Sequence, residues 1–225
     1  MLSQLVSSQP TTSWSQTCGA DGENVVQAAP TKYENTQKNT GHMRHLLITG
    51  SPGVGKTTLI CALGTRLAHH HPTGFYTEES RDARGAREGF RLVTFCGRLL
   101  VLSHIHQPGP YRVSRYGVDV AGFEQLLADL NLGHVQSRLV MIDEIGKMEC
   151  FSQRFRDDLT ALLNSPKMLI ATIALKGEGF ITQVKDRPDC RLVMVTRANR
   201  NQLVGELMTG IENSLGKACG NQGCT

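Results

Sequence analysis

Eight consecutive residues constrain this chain more than any other feature: Gly50-Ser51-Pro52-Gly53-Val54-Gly55-Lys56-Thr57. They match GxxxxGK[ST] at every fixed position. The flanks agree with the match. An apolar run, His45-Leu46-Leu47-Ile48-Thr49, leads in, and a stretch with Leu59, Ile60, Leu63 and Leu67 on one helical face leads out. A strand, a glycine-rich loop and a helix in that order turn successive backbone N–H groups inward and add the positive end of the helix. The result is a cradle for phosphate oxygens. Lys56 is placed to reach the β and γ phosphates of a nucleoside triphosphate, and Thr57 to offer its hydroxyl to Mg²⁺. Gly50 through Thr57, with Thr58 in the same helical turn, are the expected phosphate contacts.

Apolar runs and helical patterns alternate after the loop. Gly74–Thr77 reads as a second strand, and Phe90–Phe95 and Leu99–Leu102 as a hairpin turning at Gly97. Phe123–Leu130 is helical, and Leu139-Val140-Met141-Ile142 is a strand apolar on both faces. Phe151–Leu163 is a helix stopped by Asn164-Ser165-Pro166. Met168–Ile173 and Leu192–Val195 are strands around a short helix at Phe180–Val184, and Asn199 to about Leu215 is the last helix. The alternation predicts an α/β domain over residues 43–215: a mostly parallel twisted sheet, helices on both faces and an added antiparallel hairpin. Residues 1–42 are rich in Ser, Thr, Gln and Asn without period, and read as a disordered arm. Residues 216–225 read as a flexible tail.

Asp143-Glu144 ends the apolar strand and supplies the second half of a phosphate site. With that strand beside the P-loop strand, Asp143 sits at its carboxyl end next to Mg²⁺. Glu144, one residue on, can hold an attacking water in line with the γ-phosphate and take its proton. Ile142, Ile145, Gly146 and Lys147 flank the pair and are counted with it in the nucleotide site. Asp143-Glu144-Ile145-Gly146 also fits DxxG, but no NKxD guanine reader accompanies it, which argues against a guanine-specific switch; the LSGGQ signature of transporter ATPases is missing too.

A formal charge of +4 is compatible with anionic phosphates but gives no dense basic block, so nucleic acid is not an expected partner. The seven cysteines, Cys18, Cys61, Cys96, Cys150, Cys190, Cys219 and Cys224, are scattered and form no CxxC pair, as in reduced proteins. Neither a membrane-length apolar run nor a secretory or mitochondrial leader is visible. A cytoplasmic location is the default, with the nucleus also open. His69-His70-His71 would not share one face of an α-helix, so solvation at a helix end is favoured over metal binding there.

The strings Gly74-Phe75-Tyr76-Thr77-Glu78-Glu79, Asp143-Glu144-Ile145-Gly146-Lys147-Met148-Glu149 and Asn199-Arg200 resemble a small P-loop nucleoside-triphosphatase family, whose animal member is the cancer-related nucleoside-triphosphatase. Gly89-Phe90, and Tyr116-Gly117-Val118-Asp119 ahead of Phe123-Glu124, extend the likeness over about Arg44 to Leu215. The resemblance implies a RecA-like P-loop fold and Mg²⁺-dependent hydrolysis of ATP, GTP, CTP and UTP to diphosphate and phosphate with loose base preference. It suggests Lys147 and Arg200 as further cations at the site, beside Lys56 and Glu144. The arm at 1–42 departs from the family, which starts almost at the P-loop strand. Physically, a cation aimed at the transferring phosphoryl lowers its barrier, and an Arg at a helix start is otherwise badly placed. Glu78 and Glu79 could face the same crevice, and Arg112 and Arg115 could reach phosphates or the base; solvated loops explain all four as well. A kinase with its own acceptor pocket and a non-catalytic nucleotide-gated module are the alternatives to hydrolysis. A monomer or weak oligomer is expected.

Overall fold

The computed structural model describes residues 44–133 and 136–217. The arm at 1–42, Met43, Cys18, Cys219 and Cys224 lie outside them. Among the described residues nine strands form one sheet: β1 (His45–Thr49), β2 (Thr73–Arg81), β3 (Arg87–Thr94), β4 (Leu99–His104), β5 (Arg112–Val113), β6 (Tyr116–Val118), β7 (Leu139–Ile145), β8 (Met168–Ile173) and β9 (Cys190–Met194). Their order is β5-β6-β4-β3-β2-β7-β8-β1-β9. The block β2-β7-β8-β1-β9 is parallel, and β3, β4, β6 and β5 extend it antiparallel from β2. The hairpin read from Gly97 is therefore one turn of a larger antiparallel wing.

Period two along the strands feeds two cores. Leu47, Phe75, Val140, Ile142 and Ala171 face α2 (Val120–Leu130), α3 (Gln153–Leu163) and α4 (Phe180–Lys185), with Phe75, Phe123 and Phe155 in mutual ring contact. Leu46, Ile48, Leu139, Met141 and Ile170 face α1 (Lys56–Arg66) and α5 (Leu203–Lys217). This is why β7 reads as continuously apolar: both of its faces are covered. Among the described residues no helix is long and apolar enough to cross a membrane.

Side chains fix the starts of α2 and α3. Asp119 accepts from the Gly122 N–H at 3.0 Å to begin α2, and Ser152 from the Phe155 N–H at 3.0 Å to begin α3. Ser152 delays α3 relative to the expected start at Phe151, which instead closes a 3₁₀ turn over Glu149–Phe151. α1 likewise ends at Arg66, with a 3₁₀ turn at Ala68–His70. α5 begins only at Leu203, because Asn199 and Arg200 lie in the turn before it, and it continues through Gly216 to Lys217.

One expectation about the sheet is overturned. β7 is not beside β1: β8 lies between and pairs with both. Fully buried parallel strands look alike in sequence, so nothing local says which of them adjoins the P-loop strand.

Candidate active site

The loop after β1 turns through Gly50, Gly53 and Gly55, all at positive φ. Two positions show why glycine is needed. A Cβ on Gly50 would lie 2.7 Å from the Val195 carbonyl, because the strand β9 exit packs against the loop. Gly55 has φ 111° and immediately precedes α1, whose first N–H groups it leaves free. Ser51, Pro52 and Gly53 are exposed at the loop crest, Val54 is buried beneath it, and Thr58 is exposed on the first turn of α1.

Although β8 separates their strands, the two halves of the site meet, because α1 crosses above β8. Thr57 Oγ1 donates to Asp143 Oδ2 at 2.7 Å. Asp143 is fully buried and well held: Oδ1 accepts from Thr172 Oγ1, and Oδ2 also lies 3.4 Å from the Thr77 N–H. Thr77 Oγ1 in turn donates to the Asp143 carbonyl. A buried carboxylate held by hydroxyl groups on α1 and β8 and by a backbone N–H on β2 forms, with the P-loop threonine it touches, an oxygen donor pair of the kind Mg²⁺ takes.

Glu144 is aimed by a bulge. Pairing between β7 and β8 runs Ile142↔Ala171 and then Ile145↔Ile173, so Asp143 and Glu144 together oppose Thr172. The extra residue lets both carboxylates serve the site rather than alternate across the sheet. Glu144 Oε2 stands 3.8 Å from Lys56 Nζ, which also donates to the Gly50 carbonyl at 3.2 Å. Burial raises the Glu144 pKa, Lys56 opposes that rise, and Asp143 adds to it. Lys185 of α4 also acts on Glu144; its ammonium donates to the Leu175 carbonyl, and burial lowers its pKa.

The other predicted residues divide. Arg200 lies beside the loop: its Cδ would lie 3.8 Å from a Cβ on Gly55, so its stem runs along the phosphate loop. Asn199 fixes the turn beneath it, accepting from the Thr196 N–H and donating to the Met194 carbonyl. Gly146 is buried, and Ile142 and Ile145 are fully buried core residues, which removes those two side chains from nucleotide contact. Lys147 is exposed and lines a neighbouring cleft of about 660 Å³ with Phe151, Arg156, Lys176 and Phe180. Glu78 pairs with Arg91, and Glu79 with Arg81 and Arg87, so ion pairs on the antiparallel wing occupy both. Arg112 and Arg115 lie at the sheet edge opposite the P-loop strand, where Arg112 donates to the Arg115 carbonyl and Arg115 to the Arg87 carbonyl.

Two residues escape the sequence reading. Lys185 gives no signal, since a lysine at the end of a short helix is ordinary. Glu149 does give one, as a carboxylate between Met148 and the apolar pair Cys150-Phe151. It is buried, and burial pushes its pKa up to about 8, with Glu144 and Asp143 adding to the rise. The N–H groups of Glu149 and Gly146 bind the carboxyl, and a Cβ on Gly146 would lie 2.9 Å from its Oε2. It ties together the turn that follows Glu144.

Comparison with known proteins bears on the family and the fold. A family model described as NTPase matches residues 45–208. The nucleoside-triphosphatase THEP1 of Thermotoga sp. strain RQ2 is 38% identical over 173 residues, covering 76% of this chain and 98% of that protein. The human cancer-related nucleoside-triphosphatase is 39% identical over 188 residues, with the same coverages. Among solved structures, the crystal structure of THEP1 from Aquifex aeolicus superposes with a TM-score of 0.67 at 33% identity, covering 75% of this chain and 99% of that one. The solution structure of the human protein gives 0.66 at 37% identity, covering 76% and 98%.

Proposed function

From the premise that this chain belongs to the NTPase family and is a nucleoside-triphosphatase, we propose that it is a Mg²⁺-dependent enzyme of loose base preference, cleaving the β–γ anhydride of ATP, GTP, CTP and UTP with water. The observation that carries this reading is the approach of Lys56 Nζ to Glu144 Oε2 beside the Thr57–Asp143 contact. On this reading a cation, a base and a metal-binding pair surround one point in front of the P-loop.

Chemistry follows from those positions. Backbone N–H groups of the loop and of the first turn of α1 bind the phosphates, and Lys56 moves its charge onto the β and γ oxygens. A Mg²⁺ held by Thr57 and Asp143 would supply charge neutralisation at those oxygens. Released from Lys56, the Glu144 carboxylate is free to accept a proton from water and hold that water in line. Arg200 lies along the loop with its guanidinium able to follow charge as it builds on the transferring phosphoryl. Base preference is loose on this account because every named contact is to phosphate, metal or water. The free cysteines Cys61, Cys96, Cys150 and Cys190 support a cytoplasmic location.

The cleft lined by Lys147, Arg156, Lys176, Phe151 and Phe180, whose three cations outnumber its one acid, Glu178, favours a second reading, transfer to an anionic acceptor instead of water. Phosphate release from the four triphosphates, with and without Mg²⁺ and with no acceptor added, separates the two. Comparable Mg²⁺-dependent release from several of them supports hydrolysis. Binding without release turns the assignment toward a kinase or a nucleotide-gated module.

A further inference from the structure

At the carboxyl end of α1, remote from the phosphate loop at its amino end, two imidazoles and a carboxylate converge. His69 Nε2 lies 3.3 Å from Glu212 Oε1, and His70 Nε2 lies 2.9 Å from Glu212 Oε2. The three ligand atoms all fall within 4.8 Å of one another, and the ring centroids are 4.2 Å apart. On an α-helix adjacent residues point about 100° apart and do not meet. Here the chain has left α1 for the 3₁₀ turn Ala68–His70, which ends at His71 with φ 48°. That turn lets both rings reach one carboxylate on α5, so the expectation of merely solvated histidines does not hold for His69 and His70.

We infer that His69, His70 and Glu212 form a binding site for a divalent transition-metal ion, with zinc the best match. Ligand atoms around tetrahedral zinc, each about 2.0–2.2 Å from the ion, lie about 3.3–3.5 Å from one another. Reaching that spacing needs the 2.9 Å His70–Glu212 contact to open slightly and the wider separations, all within 4.8 Å, to close. Two imidazoles and one carboxylate select zinc, copper or nickel over Mg²⁺, which separates this site chemically from the all-oxygen pair Thr57 and Asp143. His69 and His70 are 60% and 28% exposed and Glu212 37%, so an ion can enter from solvent and keep water at its remaining position. The ion would join the far ends of α1 and α5. These are the helices that begin at the phosphate loop and just after Arg200.

Zinc binding to the untagged full chain, measured by competition with a chromogenic chelator, tests this against His70→Gln and Glu212→Gln. All three proteins keep the seven cysteines and the Thr57–Asp143 pair, so only the proposed site differs. The intact chain should bind one more Zn²⁺ than either variant, or bind it at least about tenfold more tightly. Zinc should raise its thermal unfolding midpoint and leave theirs unmoved. Equal stoichiometry and affinity in all three would overturn the assignment. Should the variants fold poorly, Co²⁺ added to the intact chain gives an independent reading. Visible d–d bands without thiolate charge-transfer absorption support the site, and thiolate bands alone, or no bands, refute it.

Discussion

Glu149 shows how much one side chain can be shaped by its surroundings. Its pKa stands near 8 instead of 4.5, so the fold favours the protonated carboxyl. The folded state then holds more protons than the unfolded one between these values, and stability must fall as pH rises from about 4.5 to about 8. Glu149→Gln, neutral at every pH, should flatten that part of the curve and gain on the parent most at and above pH 8. Chemical unfolding at pH 5 and pH 8 checks this, and an unchanged slope would contradict it. Arg200→Ala should lower kcat about 10²-fold with a smaller effect on KM, because its charge is matched to the transition state. Specific activity that stays constant on dilution would place Arg200 in the site of its own subunit. The P-loop residues and Asp143-Glu144 are legible in sequence because their spacing is dictated by phosphate and metal. Lys185, and the burial of Glu149, are not, since both depend on which elements close over them.

At the level of elements, side-chain caps start α2 and α3, and one bulge turns Asp143 and Glu144 to the same side. Asp119→Ala removes the acceptor for the Gly122 N–H and should cost about 1 kcal/mol. Ser152→Ala should cost more, since its hydroxyl is fully buried and also donates to Glu124 at 2.8 Å. Thermal unfolding of the two variants orders them. Most elements could be read from apolar period and turn residues. Their edges moved where a tertiary contact decided: the start of α3 at Ser152, the end of α1 before the histidine turn, and the late start of α5. The insertion of β8 between β1 and β7 had no local signal, nor had the bulge at Asp143-Glu144, because register belongs to a pair of strands and not to either alone.

Across the whole molecule, the residues of the proposed site lie on the parallel block and its loops, and none lies on the antiparallel wing. Loops following β1, β7, β8 and β9 meet at the carboxyl edge of the block, the edge where open α/β sheets place their ligands. On the wing Glu78 and Glu79 pair with Arg91, Arg81 and Arg87, Glu88 with His104, and Arg112 and Arg115 donate to backbone carbonyls. Substituting Arg112 or Arg115 should therefore leave turnover within about twofold, a surface-scale effect. The division was only partly legible, since a charged loop that pairs internally looks the same in sequence as one that grips phosphate.

In the proposed mechanism Glu144 handles water while Lys56 and the P-loop hold the triphosphate. Its most direct test is nucleotide affinity and single-turnover phosphate release measured together on the intact chain, Glu144→Gln and Lys56→Ala. Glu144→Gln should bind as tightly as the parent and release phosphate about 10²–10⁴-fold more slowly, whereas Lys56→Ala should lose both. Undiminished release by Glu144→Gln would contradict the account.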